Sequence, residues 1–152
     1  MNPQRISEIF FDETYHVPAH QTARSLFLRL PHGLEYAQTL IECLATSYLS
    51  AVVESICIRE MQRHVDPFEE VVVGRTVHID HLCPIPPMTC LRLCGWVERL
   101  SDRSATFCVR AHDEHEVVFD GTVTLVAARR TLIESRIAIK VTALQQTRAA
   151  TG

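Results

Sequence analysis

The stretch from Tyr36 to Arg63 constrains this chain more than any other. Leu40, Ile41, Leu44, Ala45, Tyr48, Leu49, Val52, Val53, Ile56 and Cys57 recur there at three- and four-residue spacing, and neither proline nor glycine interrupts them. The spacing predicts one helix of about 25 residues that stops before Asp66-Pro67. A helix with so broad an apolar face has to be wrapped by something wide.

The residues downstream supply the wrapper. Segments 71–83, 88–100, 104–113 and 116–129 are rich in Val, Leu, Thr and Phe, and turn residues at Pro84–Pro87, Ser101-Asp102 and Asp113-Glu114 separate them. A further strand is expected over 8–18, ending at Pro18, before a loop marked by Pro31 and Gly33. The shortest connections give an antiparallel meander with one face on the helix, an α+β architecture in a single domain over 1–152. In the tail, 131–152, IESRIAIKV either extends the last strand or forms a short helix, and QQTRAATG is expected to fray.

Composition narrows the function classes. A length of 152 residues, 47% hydrophobic and 22% charged, is enough for one real core and is not that of a disordered chain. A net charge of -3, with Lys and Arg scattered, argues against nucleic acid as a partner. No apolar run reaches the roughly 18 residues of a membrane span, and the N-terminus carries early acids and no apolar signal core. The expectation is a soluble cytoplasmic protein with no membrane association. Cys43, Cys57, Cys83, Cys90, Cys94 and Cys108 sit in apolar segments without a CxxC pair, so reduced, buried thiols are expected and no metal site.

Thr46, Ser50 and Glu54 follow one another at four-residue steps on the helix, a line about 12 Å long at ~1.5 Å per residue. Alone, such a Thr bonds back to a carbonyl and such a Glu points to water. His81 adds chemistry. In the strand before it, Val71, Val73, Val77 and Ile79 share its parity, which places it on the apolar, helix-facing side, next to the Pro84–Pro87 turn. His78 with His81, and His112 with His115, are three apart on strands and therefore point to opposite faces, unlike a two-histidine metal grip. There is no GxSxG elbow, phosphate-cradling loop or dinucleotide fingerprint.

HVPAHQTAR, LATSYLSAVVESICIREM, VGRTVHIDHLCPIPP and VRAHDEHEVVFDGTVTLVAAR occur in this order over most of residues 10–130. Together they resemble the hotdog-fold acyl-CoA thioesterases, and within them the fluoroacetyl-CoA thioesterase group. The resemblance implies a hotdog fold: one long central helix wrapped by a five- to six-stranded antiparallel sheet. It implies Thr46, Glu54 and His81 as the catalytic set and Gly74 beside the acyl group. It also implies a homodimer with sites between subunits, and no cofactor beyond the coenzyme A of an acyl-CoA or acyl-carrier substrate. A carboxylate attacks a thioester carbonyl or activates water for the attack, an imidazole shuttles the proton, and a hydroxyl orients either group. Before the helix the group carries phenylalanines that close over the acyl chain. Here LPHGLEYAQTLIECLAT offers Tyr36 and Leu40 as substrate-binding residues instead, which implies a small or medium acyl group other than fluoroacetyl. Two other functions fit the fold: a non-hydrolytic acyl-thioester-binding protein, and a hotdog dehydratase acting on 3-hydroxyacyl thioesters.

Overall fold

The computed structural model describes residues 3–150. Five strands, β1 (Phe10–His16), β2 (Glu70–His81), β3 (Cys90–Leu100), β4 (Ser104–His112) and β5 (Val117–Arg129), form one antiparallel sheet in the order β1-β3-β4-β5-β2. Around it stand α1 (Pro3–Ser7), α2 (Ala23–Phe27), a 3-10 turn (Ala37–Thr39), α3 (Thr46–Gln62) and α4 (Arg130–Ala150). Only β3, β4 and β5 make the expected meander. β2 pairs with β5, and β1 joins the far edge through β3. The β2–β3 connection crosses the end of the sheet, held by Leu82 N–H on Val118, Met88 N–H on Val17 and the fully buried Ile85.

α3 begins at Thr46, ten residues later than its apolar spacing suggests. Residues 40–45 are pulled into extended backbone by long-range bonds. Leu44 N–H reaches Ile85 C=O, Ala45 N–H reaches Gln21 C=O, and Ala23 N–H reaches Cys43 C=O. These tertiary bonds outweigh a weak helical preference. From Thr46 on, Leu49, Val53, Ile56, Cys57 and Met61 turn inward against Leu91, Leu93, Phe107, Val109, Phe119, Val123 and Leu125 of the sheet. Each large aliphatic chain buried there contributes roughly 1.5–3 kcal/mol. Glu60 enters the same face because Arg59 and Arg63 both bond its carboxylate.

β2 departs from simple alternation. Gly74 pairs with Leu125 but Thr76 pairs with Thr124, so Arg75 is an extra, bulged residue. The bulge moves Val72 and Gly74 to the helix side, along with Val77, Ile79 and His81, and displaces Val71 and Val73. The expected parity is therefore right for His81 and wrong for the first half of the strand. The cysteines are free thiols, but only Cys57 is fully buried; the other five are half-buried.

The tail is neither a strand extension nor a short helix. α4 runs for 21 residues to Ala150, and Leu132, Ile137, Ile139, Val141 and Leu144 on it are all exposed. The last two residues of the expected frayed end lie outside the described range. Among the described residues, no helix is long and apolar enough to cross a membrane.

Candidate active site

The candidate side chains expected from the sequence are distributed along α3 and the strand beside it. At the N-terminal end of α3, the Thr46 Oγ1 lies 3.0 Å from His81 Nδ1. His81 is the last residue of β2, and its ring faces the helix, while the bulge at Arg75 brings Gly74 to the same side. Its Nε2 is buried without a protein partner. Burial lowers the His81 pKa, with the Cys83 backbone acting weakly in the other direction, so the ring is neutral at pH 7. A neutral imidazole bonded to a hydroxyl has two tautomers. In one it accepts the Thr46 proton; in the other it donates to Thr46 Oγ1 and leaves Nε2 as the base.

The pair borders a cavity of about 510 Å³ lined by Ala23, Phe27, Cys43 to Ser47, Ser50 and His81. The helix N-cap is Ala45, which offers no side-chain acceptor. The first N–H groups of α3 therefore have neither an intrahelical acceptor nor a cap, and they stand beside this cavity as donors for a carbonyl oxygen. Ser50 is occupied by its bond to the Thr46 carbonyl.

Two turns along α3, the half-buried Glu54 meets Gly74. A Cβ on Gly74 would lie 1.7 Å from Glu54 Oε1, so the missing side chain lets the carboxylate rest where it does; the backbone angle there is not left-handed. Among the described residues the Glu54 carboxylate has no hydrogen-bond partner. Its charge also adds to the burial that pushes the Cys57 thiol up to about 12.

The structure thus forms two pairs, Thr46 with His81 and Glu54 with Gly74, separated by about 12 Å along the helix axis at ~1.5 Å per residue. Tyr36 does not line the cavity itself. Its ring packs on Phe27 at 5.7 Å, tilted by 51°, and Phe27 forms the wall. Leu40 is half-buried outside the cavity, its carbonyl bonded by Arg24. The sequence reasoning passed over Phe27, Ala23 and Cys43. Phe27 sits in the five-residue helix α2, too short to show a period, and it reaches the site through the long-range Thr22–Leu44 bridge.

A helix laid across one face of a five-stranded antiparallel sheet in this order defines a hotdog protein, and solved structures agree. The fluoroacetyl-CoA thioesterase FlK superposes with a TM-score of 0.76 at 23% identity, covering 87% of this chain and 94% of that one. A thioesterase superfamily member from Thermus thermophilus gives 0.77 at 15% identity, covering 91% and 94%. The family described as fluoroacetyl-CoA-specific thioesterase matches residues 32–131. A fluoroacetyl-CoA thioesterase from Streptantibioticus cattleyicolor is 26% identical over 112 residues, 74% of this chain and 77% of that protein. The chain belongs to the fluoroacetyl-CoA-specific thioesterase family, a family of thioester hydrolases.

Proposed function

We propose that this protein hydrolyses the thioester of a small or medium acyl-CoA to free acid and thiol, with Thr46, Glu54 and His81 at the reacting group. The observation that carries this reading is the Thr46–His81 hydrogen bond on the wall of the α3 cavity. There the first N–H groups of α3 and the Thr46 hydroxyl stabilise charge growing on the carbonyl oxygen. Glu54, whose carboxylate has no hydrogen-bond partner among the described residues, either attacks the carbonyl, expelling the thiolate and forming an anhydride that water then opens, or draws the proton from a water that attacks the carbonyl directly. In both routes the water gives up one proton, to the neutral His81 in the first and to Glu54 in the second, and that proton goes to the thiolate. No cofactor takes part beyond the coenzyme A of the substrate.

A homodimer completes the proposal. Glu54 and the Thr46–His81 pair stand apart within one protomer, and a site between two subunits gives each pair a second α3 to work against. Phe27, backed by Tyr36, bounds the acyl end, and Gly74 leaves the carboxylate room. No further phenylalanine, tyrosine or tryptophan lines the cavity among the described residues, which favours small to medium chains over a pocket dedicated to fluoroacetyl.

The test is thiol release from a panel running from acetyl- and fluoroacetyl-CoA to longer and aromatic acyl-CoAs. Turnover with a preference for one chain length is expected. Binding without release across CoA and carrier-bound substrates would replace the proposal with a thioester-binding role. Enoyl product from 3-hydroxyacyl-CoA would replace it with dehydration.

A further inference from the structure

A second cavity lies on the outer side of the sheet, remote from Thr46 and His81. Leu125 and Ala127 of β5 point into the core, so their neighbours Val126 and Ala128 point away from α3. These two residues floor a cavity of about 420 Å³. Its wall comes from the start of α4, where Leu132, Ile133 and Arg136 share one face at three- and four-residue steps. Arg129 just before the helix and Arg103 from the β3–β4 turn complete the lining. In the β2–β5 ladder Arg129 pairs with Glu70 at one end of β2, and His81 stands at the other. The two ends are about 35 Å apart at ~3.3 Å per residue. Leu132, Ile133 and Arg136 also lie past residue 131, where the family match ends.

Charge decides what such a cavity can hold. Three arginines line it and no carboxylate does. Arg103 is already engaged, by the Ala127 carbonyl at 2.9 Å and by Glu70 Oε1 at 3.1 Å. Arg130, beside it in sequence to Arg129, faces Glu134. Arg129 and Arg136 make no ion pair among the described residues. Two permanently charged guanidinium groups therefore border an apolar surface of Val126, Ala128, Leu132 and Ile133. A neutral apolar molecule would cover that surface but strip water from the cations. An inorganic anion would serve the cations and leave the apolar surface wet. A molecule with an aliphatic body and a carboxylate head meets both demands, and the planar guanidinium fork matches a carboxylate through two parallel hydrogen bonds. The volume falls in the range of small-molecule sites.

We propose that this cavity binds an aliphatic carboxylate of medium chain length, its head on Arg129 and Arg136 and its chain against Val126, Ala128, Leu132 and Ile133. The site is separate from the proposed reaction and stands whether or not the chain hydrolyses a thioester.

The test is calorimetric titration of octanoate into the full chain, with octanol and inorganic phosphate as probes of the two halves of the ligand. Octanoate binds at least about tenfold more tightly than either, and it shifts the backbone amide resonances of Val126, Ala128 and Ile133. R129Q/R136Q weakens octanoate at least about tenfold, and Ala128→Phe, which fills the floor and keeps both arginines, weakens it as well. Thiol release without octanoate stays at the wild-type value in both variants, so failure of this site is distinguished from failure of the reaction. Octanol or phosphate binding as tightly as octanoate overturns the proposal, as does unchanged affinity in R129Q/R136Q. Amide shifts confined to Phe27, Cys43 and Ser47 would put octanoate in the α3 cavity and also overturn it. So would no binding of octanoate at all, the result expected if a second copy of the chain covers this surface.

Discussion

The two ends of the Thr46–Glu54 line on α3, one at the start of the helix and the other at its middle, solve the placement of a polar group against an apolar wall in opposite ways. At the N-terminus, Thr46 and His81 satisfy each other at 3.0 Å and open onto a cavity. Two turns on, Glu54 receives no hydrogen bond among the described residues, and its carboxylate occupies the space left by the missing side chain of Gly74. The first end is organised and holds a neutral ring. The second keeps a carboxylate uncommitted, with its lone pairs available to substrate or water. The roles proposed for them, an orienting pair and a reactive carboxylate, call for such different surroundings.

Breaking the second end should have the largest effect. Glu54→Gln keeps the shape beside Gly74 and removes the charge, so kcat is expected to fall by about 10³-fold or more while the circular dichroism spectrum and the thermal midpoint stay close to wild type. Breaking the first end comes next. His81→Ala is expected to lower kcat/KM by about 10²–10³-fold, and Thr46→Val by about 10–100-fold, both read from thiol release.

The pH dependence sharpens the contrast. Because burial lowers the His81 pKa, the neutral ring persists below the ordinary 6.5, and the acid limb of kcat/KM should fall below that value and vanish in His81→Ala. The same shift has a sign for stability. The unfolded ring binds its proton more readily than the folded one, so the folded state is favoured above pH 6.5 and loses stability as pH falls through and below it. Denaturant midpoints at pH 7.5 and 5.5 should differ less in His81→Ala than in wild type.

Smaller effects are expected from Gly74→Ala and Phe27→Ala. The new methyl at Gly74 meets the flexible end of Glu54, so the carboxylate swings aside; turnover drops by about tenfold while stability changes by ~1 kcal/mol or less. Phe27→Ala widens the cavity wall and is expected to shift preference toward longer acyl chains by a few-fold, in the ~1 kcal/mol range of one or two methylenes.

What the sequence disclosed depended on the range of the interactions involved. The apolar periodicity of α3 and the alternation of the strands are local, and the elements are found close to where those patterns place them. The ten residues lost from the front of α3 were decided by Ile85 and Gln21, far along the chain. The bulge at Arg75 is a register event between β2 and β5 that no composition marks, and without it Gly74 and His81 would face opposite sides. Thr46 and His81 were legible as chemistry-bearing residues; that they touch was not, because 35 residues separate them. The Phe27–Tyr36 contact was hidden for a different reason: the residues between them form irregular turns with no period to read. The periodicity of α4 was present in the sequence but was read as a strand extension or a short segment, because Arg136 and Lys140 interrupt its apolar positions and most of them stay exposed.

The central claim is that the Thr46–His81 pair and Glu54, at the start and the middle of α3, act on one thioester, and a double-mutant cycle tests it most directly. kcat/KM is measured for wild type, Glu54→Gln, His81→Ala and the double variant on the best acyl-CoA. If the two ends work as a unit, the double variant is expected to be no more than about tenfold slower than the worse single variant. Losses that simply multiply would show that Glu54 and His81 act independently, and would contradict the account.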